Sequence, residues 1–202
     1  MKLRLLILLL ISTRLVAQND FIITNAEQKI DLVDGTVGIN YIDKILEYKS
    51  LEKNKNKIID FNDFSYCYFE NYVFMTFDLY KNNNIKGYFV LADMSKRKLL
   101  SATLPPDNDG YNKFKDQIIK YEFFIINEDA ALLEHFIFDN IKIETNTIAR
   151  SSIGNKIKNQ FKDFPDLLAR LATFGSNTDD KFNLKILEFF EFPIYMKKET
   201  AK

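Results

Sequence analysis

The chain has 202 residues, with 28 basic against 28 acidic side chains, one cysteine, 19 Phe and 10 Tyr. So even a charge balance argues against a nucleic-acid partner held by charge. A single cysteine excludes an internal disulfide, leaving the fold to rest on its apolar core.

The first 17 residues, MKLRLLILLLISTRLVA, run from the positive Lys2 and Arg4 through the apolar Leu5–Ile11 to Ala17. That is the three-part order of a secretory signal, and the apolar run is far shorter than the roughly 20 residues a bilayer span needs. Leu15 is large and Arg14 charged close to the cut, so the cleavage position stays open. A lipid anchor would need a cysteine at the cut, whereas the only one is Cys67. The expectation is an exported chain, periplasmic or extracellular, whose residues 18–202 form one domain without a transmembrane segment. The absence of any Asn-x-Ser/Thr acceptor leans toward a bacterial envelope rather than a glycosylating route.

In NYIDKILEYKSLEK, Ile42, Ile45 and Leu46 form a short stripe after Asn40, a residue type that caps helices, and the spacing predicts a helix. Residues 64–104 then alternate aromatic and β-branched stretches with Asn, Lys and Gly, which predicts four antiparallel strands. A tight turn at Glu70-Asn71 pairs 69 with 72, 67 with 74 and 66 with 75. A second hairpin over Lys81–Lys86 would set Tyr88 beside Leu79, Val90 beside Phe77 and Ala92 beside Met75. A third, around Met94–Arg97, brings Asp93 opposite Lys98, Leu91 opposite Leu100 and Phe89 opposite Ala102. The first face of this ribbon, with Phe64, Tyr66, Tyr68, Val73, Met75, Phe77 and Leu79, reads as core. One outer hairpin resembles part of a propeller blade, but no second copy occurs.

After Pro105-Pro106, the residues Tyr111, Phe114, Ile118 and Ile119 follow helical spacing. Asn127 is placed to cap a further helix carrying Leu132, Leu133, Phe136 and Ile137. Ser152 precedes Ile153, Ile157 and Phe161, and Pro165 restarts a helix with Leu167, Leu168, Leu171 and Phe174 that ends at Gly175. Residues 181–192 fit either a strand or a helix, with strand preferred. The fold class expected is therefore α+β: an antiparallel four-stranded meander over about residues 64–104, with several amphipathic helices packed on it, most of them C-terminal.

Candidate chemistry is sparse. On a helix from Glu128, the side chains of Glu128, His135 and Asp139 would share a flank, enough for a metal site or a carboxylate-oriented base. No HExxH or second histidine accompanies them, so an exposed helix side is the plainer reading and no metal or other cofactor is expected. Cys67 lies among aromatics, where a thiolate is disfavoured. PPDNDGYNKFKD has carboxylates near calcium-loop positions, but Pro105 stands where the first ligand belongs. The second face of the ribbon offers Phe69, Tyr72, Phe74 and Tyr80, residue types enriched at interfaces, unless the chain's own helices cover them. The expected function is a non-enzymatic binding or inhibitor-type module acting on another envelope protein. The alternative is a small hydrolase or metal-assisted enzyme centred on His135.

Overall fold

The computed structural model describes residues 19–94, 96–102, 120–139, 155–169 and 194–195. Residues 1–17, read as a signal, the helix expected over 111–119, the Ser152 start and Gly175 end of the later helices, and the segment 181–192 lie outside the described residues.

Strands dominate these residues: β1 (Phe21–Thr24), β2 (Lys29–Asp31), β3 (Gly38–Asn40), β4 (Ile45–Lys49), β5 (Asn56–Asp60), β6 (Phe64–Phe69), β7 (Tyr72–Phe77), β8 (Lys86–Asp93), β9 (Arg97–Ser101), β10 (Lys120–Asn127), β11 (Leu132–Asp139) and β12 (Ile194–Tyr195). Eight of them form one antiparallel sheet in the order β11-β10-β9-β8-β7-β6-β1-β2, and β12 joins β8 in parallel. A second sheet has the order β3-β4-β5. Two short helices, α1 (155–160) and α2 (165–169), are the only ones among the described residues, and neither is long and apolar enough to cross a membrane.

The chain is thus mostly β, and the expectation of several packed amphipathic helices is overturned. Both of the helices expected after an asparagine are hairpins. Asn40 Oδ1 accepts from the backbone N–H groups of Ile42 and Asp43, and Asn127 Oδ1 from those of Asp129 and Ala131. An asparagine satisfies two amides in a turn as readily as at a helix start. Lys44 and Ala130 then adopt φ of 57° and 56° and turn the chain back. The segment from Ser152 fares better: helices do form at 155–160 and, after Pro165, at 165–169.

Register within the meander follows the turn chemistry. Glu70 and Asn71 take φ of 47° and 69°, the left-handed pair that a two-residue hairpin needs. The ladder accordingly pairs Phe69 with Tyr72, Cys67 with Phe74 and Tyr66 with Met75, as expected. Between β7 and β8 it pairs Met75 with Tyr88 instead of Leu79 with Tyr88. The strand stops at Phe77 because the Asp78 carboxylate accepts from the Asn82 and Asn83 amides and opens a longer loop. This slip spans an even number of residues, so each side chain keeps its face. At the next neck Asp93 does oppose Lys98, with an ion pair of 2.7 Å. A bulge at Leu91 then sets Leu100 against Val90, so the pairings expected for Leu91 and Phe89 are each displaced by one residue.

The two faces also exchange roles. Cys67, Phe69, Phe74, Phe89, Phe123, Ile125 and Phe136 belong to the main core. They pack there with Leu46, Tyr48 and Phe61 from and beside the small sheet, and with Ile157, Phe161 and Leu167 from the helical segment. Phe64 joins them because the ladder to β1 skips Ser65 and turns its neighbour over. Tyr66, Tyr68, Met75 and Phe77, expected as core, are only half-buried around a smaller cluster of Val73, Tyr88, Val90, Leu100, Phe124 and Ile126. Each fully buried ring contributes about 1.5–3 kcal/mol relative to exposure. The small sheet therefore decides which face is deep.

The N-terminal end of the described chain is tied in by Asp20, which is 5 % exposed. Its carboxylate accepts from the Glu70 amide at 3.1 Å and the Gly35 amide at 3.3 Å, and so joins two turns.

Candidate functional site

The residues singled out in the sequence meet in one place and scatter in others. His135 stands on β11 directly across from Phe124 of β10, and their rings lie parallel with centroids 4.6 Å apart. Glu122, two residues back on β10, is a diagonal neighbour on the same face, and its Oε1 lies 2.8 Å from His135 Nε2. The loop capped by Asp78 carries Tyr80 to the other side of the imidazole, with its hydroxyl 3.4 Å from Nδ1. In the neutral ring a proton on Nε2 is donated to the carboxylate, and Nδ1 is left to accept from Tyr80. Both ring nitrogens are thereby engaged by the protein itself. A substrate proton would have to displace Tyr80 or Glu122 to reach the ring.

The surroundings are apolar and open. Ile137 follows His135 at two-residue spacing and projects from the same face, while the ladder skips Leu133, a bulged residue two positions before the histidine. Leu133 is 40 % exposed, Ile137 53 % and Tyr80 50 %. Behind them Tyr88 is buried edge-on against Phe124, with centroids 5.0 Å apart. Burial first, then the nearby Tyr80, Glu122 and Asp78, pushes the Tyr88 hydroxyl well above the ordinary tyrosine value, so it remains a neutral donor.

The other candidates lie elsewhere. Glu128 sits in the turn between β10 and β11, and Asp139 ends β11, its backbone about 13 Å along the strand from His135 at the usual rise. The flank imagined for Glu128, His135 and Asp139 does not exist, because it required a helix. No group of three or more His, Cys, Asp or Glu side chains suited to a metal occurs among the described residues. Of the four aromatic candidates, Phe69 and Phe74 are in the main core, Tyr72 packs against it, and Tyr80 alone is exposed. The Cys67 thiol is buried, and that burial, with a smaller effect from Asp20, raises it far from thiolate formation.

Glu122 and Phe124 were not singled out in the sequence. Once residues 120–139 are read as a hairpin about Asn127, the pairing of Glu122 with Ile137 and of Phe124 with His135 brings them to the histidine. No family model matches the chain, and no curated protein or solved structure matches it.

Proposed function

We propose that the chain is an exported, non-enzymatic binding module that acts on another protein of the cell envelope. The contact surface is centred on Tyr80, Leu133, His135 and Ile137. The observation that carries this reading is the exposure of Ile137 beside the imidazole and of Leu133 in the bulge that precedes it, joined by exposed Tyr80. Apolar and aromatic groups gathered around one held polar centre resemble the middle of a protein interface. Export rests on the positive, apolar and small-residue order of residues 1–17.

The test is a pull-down from envelope extract with the native chain and with Leu133→Glu/Ile137→Glu. Both side chains are substantially exposed, so the variant should fold, and the partner held by the native chain should be lost. A folded double variant that retains the same partner refutes the surface. Mass spectrometry of the secreted chain checks export: a product beginning near Gln18 is expected, and a retained residue 1–17 segment contradicts it.

A second reading, a hydrolase centred on His135, draws on one observation, the Glu122 carboxylate that orients the imidazole. It predicts that His135→Ala abolishes an ester- or amide-cleaving activity of the purified chain. The engaged state of both ring nitrogens favours the binding module.

A further inference from the structure

Glu122 also borders a pocket of about 240 Å³, at the end of the sheet where β8 begins and β9 runs out. Its apolar walls are Tyr41 and Phe61 from beside the small sheet, with rings 6.5 Å apart and perpendicular, and Tyr88 and Phe124 from the large one. Three charged groups reach it. The Lys44 ammonium donates to Asn84 Oδ1 at 2.6 Å, which holds it near the mouth. Lys86 makes no hydrogen bond or ion pair with a described side chain. Glu122 has Oε1 engaged by His135, so the pocket presents two ammonium groups against one carboxylate that is already shared. Tyr88 is 2 % exposed, and its hydroxyl has no hydrogen-bond partner among the described residues. The hydroxyl is not sealed off from solvent, so it opens on the pocket and is available to donate to a ligand there. A larger hollow of about 440 Å³ lies over β4 and β5, but it is an open depression edged by Glu47, Lys49 and Lys57.

We propose that this pocket binds a small aromatic carboxylate, its ring between the two aromatic walls and its carboxylate held by the Lys86 ammonium and the Tyr88 hydroxyl, with Lys44 at the mouth. The volume sets the size. It equals that of about eight liquid waters, room for a single ring with one or two substituents. Charge sets the sign, since a ligand cation would face Lys86 and Lys44, whereas an anion finds the one unpaired ammonium in the site. The site goes beyond the protein-binding surface proposed above and shares Glu122, Phe124 and Tyr88 with its surroundings.

The test uses the mature chain and para-fluorophenylacetate, followed by fluorine NMR. The expected Kd is about 1 mM or tighter for a ligand of this size. The neutral amide of the same probe should bind at least about fivefold more weakly, and Lys86→Gln should cost the acid a similar factor. Ala102→Leu, which fills the pocket, should abolish binding, with the thermal unfolding of each variant confirming that it folds. Leu133→Glu, on the protein-binding surface, should leave the probe affinity unchanged, so the two proposals fail separately. No line broadening at roughly ten times the expected Kd, equal affinity for acid and amide, or native affinity in Lys86→Gln and Ala102→Leu would overturn the proposal.

Discussion

Replacing Gly87 with Ala tests how tightly the main core is set. Gly87 lies on β8 opposite Thr76, with an ordinary backbone conformation, so alanine brings no backbone strain. The added methyl would come within 2.5 Å of Phe74 Cε1, closer still to Cζ, and 3.0 Å from Phe61 Cε2. Phe74 has nowhere to retreat: it is fully buried, with Phe89 at 5.2 Å, Phe61 at 5.6 Å and Phe64 at 6.4 Å between ring centroids. Overpacking of this kind costs up to about 3 kcal/mol. A stiffer unfolded chain returns about 0.4–1 kcal/mol. The net loss is about 2 kcal/mol, or a fall in Tm of about 4–8 °C for a domain of this length. Thermal unfolding followed by circular dichroism reads it directly. Gly87→Ala/Phe74→Leu should be more stable than the two single changes sum to, with a coupling of about 1 kcal/mol. A Gly87→Ala chain within about 0.5 kcal/mol of native, or strict additivity in the pair, refutes the packing argument.

Asp20→Ala should cost about 2–3 kcal/mol, because it leaves the Gly35 and Glu70 amides without their acceptor; urea unfolding that shows no loss would remove the clamp. Cys67 should react with a thiol reagent only as fast as the chain unfolds, since its thiol is buried and strongly raised. Complete labelling of the native chain within the mixing time contradicts that. Burial first, with Tyr68, Asp93 and Cys67 adding, pushes Tyr66 up to about 12, while an unfolded tyrosine loses its proton near pH 10. The folded state thus holds this proton more tightly. Its contribution is intact below about pH 10 and is lost as pH climbs toward 12. Burial moves Tyr48 and Tyr88 in the same direction. Ultraviolet titration should therefore show a late group of tyrosines ionising together with unfolding, and a simple titration near pH 10 for every tyrosine would count against it.

What the sequence made legible was local. Glu70-Asn71 tolerates left-handed backbone, so the β6–β7 register could be read residue by residue, and the opposite charges of Asp93 and Lys98 fixed the β8–β9 neck. The failures have one physical source. Leu132 with Phe136, and Leu133 with Ile137, stand four apart, a spacing close to one helical turn and also a multiple of the strand repeat. Asn40 and Asn127 were equally ambiguous, as a side-chain carbonyl satisfies amides in either setting. Which face of the meander would be deep was not encoded in the meander at all. It depends on β3–β5 and the helical segment arriving on one side, and alternation alone is silent about that. The same misread hairpin hid Glu122 and Phe124 from the histidine they contact.

The parallel pairing of β12 with β8 has a kinetic meaning. Tyr195 meets Asp93 across roughly a hundred residues of chain, and closing so long a loop costs about 4 kcal/mol of entropy. A two-residue ladder cannot offset that unaided. It therefore latches onto β8 only once the hairpins before it have assembled, which makes this strand a reporter of completed folding rather than a seed for it.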